Sequence, residues 1–155
     1  MASLWKKGRG RLGLFQPLLG HWIARADSPM GPLRCLRRLE PVLGGKYLQH
    51  TVRWEFGPGG SAKVYEEHAL IGVGDSGQPE FWSFTSDGKH SHGHLTDASD
   101  LHPEAIGFEA RMPAGLARMV FWPEAEGGFS WVVESRTSKG WNRFVEHRYL
   151  PLADA

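Results

Sequence analysis

Leu18-Leu19-Gly20-His21-Trp22 decides the reading of the fold: a short apolar lead-in followed by Gly-x-Trp at the mouth of the first strand. Everything downstream reads as a succession of strands, which places Trp22 where a closing β-barrel needs a large plug. Just upstream, residues 14–19 suit one helical turn, with Pro17 confining it to a beginning rather than a middle, and so a short N-terminal lid. Working outward, Ser28-Pro29-Met30-Gly31-Pro32 is a turn cluster, after which Leu33, Cys35, Arg37 and Leu39 alternate with Arg34, Leu36 and Arg38. Neither face of that strand is clean, as expected where the inner side is partly polar.

Pro41 to Gly45 breaks the chain, and residues 46–56 form the longest strand candidate, with Leu48, His50, Val52, Trp54 and Phe56 on one face. Gly57-Pro58-Gly59-Gly60 signals a hairpin whose return strand covers 62–73. Further strands are expected at 81–85 and 89–96, joined by a tight turn at Asp87-Gly88, then at 105–112, 116–122, 129–137 and 141–150. About ten strands at short regular spacing, with no helical periodicity between them, predict an all-β, antiparallel up-and-down meander. A meander of that length leaves exposed edges if flat, so closure into a barrel is predicted.

The 155 residues fit one domain, expected over 14–152 and preceded by a basic flexible arm at 1–13 that carries Lys6, Lys7, Arg9 and Arg11. Eighteen basic and 17 acidic residues leave a formal charge of +1, which gathers neither nucleic acid nor an anionic membrane. Cys35 is the only cysteine, so an intramolecular disulfide and thiolate zinc sites are excluded, which suits a cytoplasmic location. No apolar run approaches the ~20 residues that span a bilayer, and no cleavage site follows the basic start, so export is not expected. Seven Trp and eight Phe suit an interior where wide rings fill a β-barrel. The same rings could be mistaken for a base-stacking platform, but they lack the basic groove that such platforms use.

The opening Leu-Leu-Gly-His-Trp, the Pro-Met-Gly-Pro turn at 29–32, the Leu-Gly-Gly-Lys-Tyr-Leu segment at 43–48 and the final Trp141…His147-Arg148-Tyr149 resemble the bacterial lipocalin-like family called DUF1579. Those proteins are calycin-type barrels, distantly similar to nitrobindins and fatty-acid-binding proteins. The resemblance covers residues 14–151 and implies a lipocalin-like barrel of roughly ten strands with a central cavity and no assigned chemistry. Gly-x-Trp also occurs in true lipocalins, where a basic side chain from the last strand covers the Trp ring. That likeness implies that Gly20 and Trp22 are structural and that Trp22 meets Arg148 or Arg143. Nitrobindins hold haem iron through one histidine near the C-terminus. His147 occupies that region, but the surrounding Val-Glu-His-Arg-Tyr departs from their pattern.

Eight histidines, unevenly placed, are the first candidates for chemistry. His90, His92 and His94 project to one side of a single strand about 7 Å apart, a spacing that chelates zinc, copper or iron once Glu66, His68 or His50 completes the shell. Facing inward the three make a metal or acid-base site, and facing outward a solvated polar face following Asp87-Gly88-Lys89; the poor core material opposite them, Ser91, Gly93 and Leu95, favours the inward reading. A ligand cavity is expected to be walled by Trp54, Phe84, Phe108, Trp131 and Phe144. Its polar grip would come from Glu66, His68, Arg143 and His147, with Arg143 or Arg53 catching an anionic head. The expected function is binding of a small, mostly apolar or amphipathic ligand without a cofactor. The alternative is a metal- or haem-binding protein or enzyme of the same fold, and a homodimer is compatible with either. No nucleophile elbow or phosphate-binding loop occurs.

Overall fold

The computed structural model describes residues 3–152. Its ten strands are β1 (Gly20–Ser28), β2 (Gly31–Val42), β3 (Tyr47–Phe56), β4 (Lys63–Val73), β5 (Pro79–Thr85), β6 (His90–Thr96), β7 (Ile106–Met112), β8 (Gly115–Pro123), β9 (Phe129–Thr137) and β10 (Gly140–Pro151). Each pairs antiparallel with its sequence neighbour, and β1 pairs with β10, so the sheet is a closed barrel in the predicted up-and-down order. Closure leaves no strand edge to be shielded. The seam is short: Trp22 faces Pro151, Ile23 faces Leu150, and the Leu152 N–H donates to the His21 carbonyl at 2.9 Å.

Glycine at turns sets the hairpins. Gly57 enters the β3–β4 connection at φ 78°, a backbone state that side-chain-bearing residues rarely adopt, and the turn that follows pairs Trp54 with Tyr65. Gly88, at φ 84°, closes the β5–β6 hairpin, whose loop is Ser86-Asp87-Gly88 because Thr85 bonds Lys89. That loop is one residue longer than the two-residue turn the Asp-Gly pair predicts.

The predicted lid is a 3-10 segment at Gly13–Leu18 that closes one end of the barrel. Phe15 and Leu18 are fully buried, and the Phe15 ring stacks on Phe108 at 5.7 Å. Trp22 seals the same end: its indole N–H donates to the Leu18 carbonyl at 2.8 Å and its ring meets Phe129 edge-on at 4.9 Å. Arg148 does not cover it. Outward-facing and exposed, Arg148 donates to the Gly127 carbonyl at 2.6 Å, and Arg143 lies over Trp122 instead. The ring that seals Trp22 therefore comes from β9, not a cation from β10.

Residues 97–105 fold back over the outside of β8 and β9, burying Ala98, Val120 and Val132 in a second small cluster. Arg118 fastens this loop, donating to both Asp100 oxygens at 3.1 and 2.8 Å and to Glu134 at 2.8 Å, beneath the Trp141 ring. The arm expected to be loose is also docked over its described part. The N–H groups of Leu4 and Trp5 donate to Glu104 at 2.9 and 3.0 Å, and Trp5 packs against the main core. The indole supplies apolar area that the surrounding lysines and glycines concealed in the sequence. Among the described residues, no helix is long and apolar enough to cross a membrane.

Candidate cavity and buried arginine

Strand alternation fixes which side chains enter the barrel. On β2, Leu33, Cys35, Arg37 and Leu39 are all buried while Arg34 and Arg38 are exposed, so an arginine takes an interior position. Register then carries the inner face from strand to strand: Cys35 pairs with Trp54 and Trp54 with Tyr65, so the inner residues of β4 are Tyr65, Glu67, Ala69 and Ile71. Glu66 and His68, expected in the cavity, sit on the other face and are exposed. On β5 the inner residues are Phe81 and Ser83, which leaves Phe84 61 % exposed. Arg53 and Arg143 also lie outside. Arg143 pairs with Glu134 at 3.0 Å and Glu146 at 3.4 Å, and Arg53 with Glu55 at 2.9 Å.

The histidines of β6 are on the outer face as well. Ser91, Gly93 and Leu95 turn inward, and the reason lies in Gly93: a Cβ there would come within 1.9 Å of Phe81 Cε1. The Phe81 ring fills the space that a larger residue would have taken, so small residues line the interior. Outside, His92 and His94 gather around buried Glu80, while His90 lies beside Phe84, ring centroids 6.3 Å apart.

At the end opposite the plug, the barrel holds an open cavity of about 360 Å³. Trp54, Phe108 and Trp131 line it as expected, joined by Phe81, Met119 and Val133, with exposed Phe144 at the β10 bulge also on the lining. One stretch of wall is polar: Glu67 accepts a hydrogen bond from Ser83 Oγ at 2.6 Å, next to Thr85 and Ser91.

Between the cavity's tryptophans and the sealed end lies a polar cluster built around Arg37, which is 2 % exposed. Its Nη1 lies 2.6 Å from His50 Nε2, and Nη2 donates to the Tyr149 hydroxyl at 3.1 Å. The guanidinium stacks 4.3 Å from the Trp131 ring and 4.8 Å from Tyr149, contacts each worth about 0.5–2 kcal/mol. Among the described residues, no carboxylate lies within ion-pairing distance of it, and Arg37 Nε and Trp131 Nε1 are buried donors without a protein acceptor. Removing a cation from water with no counter-charge costs roughly several kcal/mol, so this arrangement is a departure from the usual paired burial.

Arg37 dictates the state of its neighbours. Burial, reinforced by the adjacent guanidinium, holds His50 well below the ordinary histidine range, so its ring is neutral and Nε2 accepts from Arg37. His147, buried and facing Trp54 with ring centroids 5.1 Å apart, is lowered to about 4 by the same two causes. Its Nδ1 lies 3.7 Å from Cys35 Sγ, a thiol that burial pushes up to about 11. Cys35 is thus a protonated packing residue rather than a nucleophile. Tyr149 is raised to about 12, chiefly by burial, and keeps its proton.

Of the expected site residues, then, the structure places Trp54, Phe108, Trp131 and Phe144 on the cavity lining and His147 against the Trp54 and Trp131 rings. It leaves Glu66, His68, Phe84, Arg143 and the three β6 histidines outside. Arg37, Glu67 and Tyr65 were not anticipated. Arg37 was visible as the one charged member of an otherwise small and apolar alternating set on β2.

The fold and site define a class: a closed ten-stranded antiparallel barrel with a plugged end, an open cavity and a buried cation beneath it. No protein-family model matches the chain, and no curated protein matches it. Among solved structures it is similar to a de novo designed fluorescence-activating β-barrel, at 20 % identity and a TM-score of 0.43, over 68 % of this chain and 91 % of that one.

Proposed function

We propose that the protein binds a small, mostly apolar molecule in the barrel cavity, entering from the end opposite the Gly13–Leu18 plug. The cavity carries this reading: about 360 Å³ with aromatic and aliphatic walls lies within the ~300–1,000 Å³ of small-molecule sites. An apolar body gains roughly 25 cal/mol for each Å² it removes from water. The ligand is amphipathic, with an anionic or hydrogen-bond-accepting head directed toward the floor. Arg37 supports that choice, because its charge is buried and unneutralised, whereas Glu67 is only half-buried and already accepts from Ser83. The sequence resemblance to lipocalin-like DUF1579 barrels implies a central cavity, which agrees with this reading, and assigns no chemistry to it.

The test uses anilinonaphthalene sulfonate and its uncharged relative phenylnaphthylamine, followed by probe emission and tryptophan quenching. Both are expected to bind saturably at one site, the sulfonate more tightly. Ala110→Phe, which fills the cavity from β7, is expected to abolish both signals while the far-UV spectrum stays unchanged. Absence of saturable binding in the wild type, or undiminished binding in Ala110→Phe, would overturn the proposal.

A further inference from the structure

On the outer wall, away from the cavity, Glu80, His92 and His94 form a cluster of metal-ligating side chains. Glu80 faces outward on β5, yet its side chain is only 5 % exposed, while those of His92 and His94 are 46 % and 59 % exposed on the neighbouring strand. Register sets the group: Glu80 is directly opposite His94, and His92 is two residues along on the same face. Glu80 Oε1 lies 2.6 Å from His92 Nε2 and 3.7 Å from His94 Nδ1, and the three donor atoms all lie within 4.8 Å of one another.

The carboxylate is held in place before any ligand arrives. Its Oε2 accepts from Ser76 Oγ at 2.8 Å, which leaves Oε1 turned toward the imidazoles. Gly74 makes room for this, since a Cβ there would come within 1.8 Å of Oε2. His92 is held from the other side by Trp82, whose ring is stacked on it at 5.2 Å and 11°. Buried carboxylate, anchoring hydroxyl and stacked imidazole are the supports that a metal's ligands need to keep their orientation.

We propose that Glu80, His92 and His94 bind a divalent transition-metal ion on the outer wall of the barrel, with zinc the first candidate and copper a close analogue. Two imidazoles and a carboxylate suit borderline metals, and donors on a tetrahedral zinc stand about 3.3–3.5 Å apart, so the present separations need only small side-chain rotations. The exposed imidazoles supply that freedom. Three protein donors leave at least one position for water or an outside ligand, an open site rather than a closed structural one. His90 takes no part, although it shares the strand face.

The site is tested on the full chain by calorimetric titration with zinc and by copper quenching of Trp82, which touches a ligand. One ion per chain is expected. Since loss of an outer partner of a metal ligand costs about 10–100-fold in affinity, His94→Ala and Glu80→Gln should each cost at least about tenfold. Ser76→Ala should weaken binding less, and His90→Ala should leave it within about twofold. His94 is exposed, so its variant keeps the barrel intact. Failure of the wild type to take up zinc saturably, retained affinity in Glu80→Gln, or an equal loss in His90→Ala would overturn the assignment.

Discussion

Arg37 and His50 meet inside the barrel with Nη1 and Nε2 2.6 Å apart, a cation donating to a neutral imidazole where a carboxylate would ordinarily stand. The pair works only while His50 is unprotonated, and His147 nearby is under the same constraint.

That constraint makes stability acid-sensitive in a defined direction. Both histidines have folded-state affinities for protons below their unfolded ones, so the unfolded chain binds more protons once pH falls below about 6.5. Stability is fully present above that value and is lost as pH falls, through about 4 for His147 and further for His50. The slope is at most about 1.4 kcal/mol per pH unit for each histidine. Urea unfolding at several pH values should show the loss, and His147→Gln should flatten it. A wild type equally stable at about pH 7 and about pH 4.5 would contradict this account.

Arg37 also makes a prediction about ligands. Arg37→Met keeps an unbranched chain against Trp131 but removes the charge and its donors. A hydrogen bond to a charged group is worth about 1.5–3 kcal/mol, so the sulfonated probe should lose roughly 10–100-fold in affinity. The uncharged relative should change by less than about threefold, because the apolar walls remain. Equal losses for both probes would mean that Arg37 supports the floor without attracting the head.

At Gly93 the interior is closed to any larger residue. Gly93→Val would drive a branched side chain into Phe81, where even a Cβ comes within 1.9 Å of the ring, and overpacking of this kind costs about 1–3 kcal/mol. Its φ is not in the left-handed region, so the cost is steric and not conformational. The matched variant Phe81→Leu, Gly93→Ala should recover part of the loss, a coupling readable from a double-mutant cycle of unfolding free energies.

The strand count, the antiparallel order and the plug were legible because turn residues and alternation are local signals. Which face of each strand points inward was not, since register passes across the sheet and a strand such as β4 offers Tyr65, Glu67 and Ala69 on one face against Val64, Glu66 and His68 on the other. Only the pairing of Trp54 with Tyr65 decides between them. The same ambiguity misplaced the β6 histidines: Ser91 and Gly93 look unfit for a core, but Phe81 occupies the volume at Gly93 and Ser91 lines the open cavity. Glu80 and His94 meet across strands and are 14 positions apart in the sequence, so no single-strand spacing could reveal them.

The plug gives the last prediction, because it joins the legible part of the fold to the cavity. Phe15 is fully buried and stacked on Phe108, which itself lines the cavity, so the closed end and the binding space share one packed wall. Phe15→Ala should cost about 3–5 kcal/mol, the range for deleting a buried phenyl group. Leu18 and the Trp22 indole, bonded to the Leu18 carbonyl, hold the segment from its other end, so the barrel should persist with a loosened plug. Phe108 would then lose its stacking partner and the cavity would lengthen toward the sealed end. Phe15→Ala should therefore melt at lower temperature yet accept a longer apolar probe than the wild type. A variant that melts lower but shows an unchanged preference for chain length would place the plug outside the binding space.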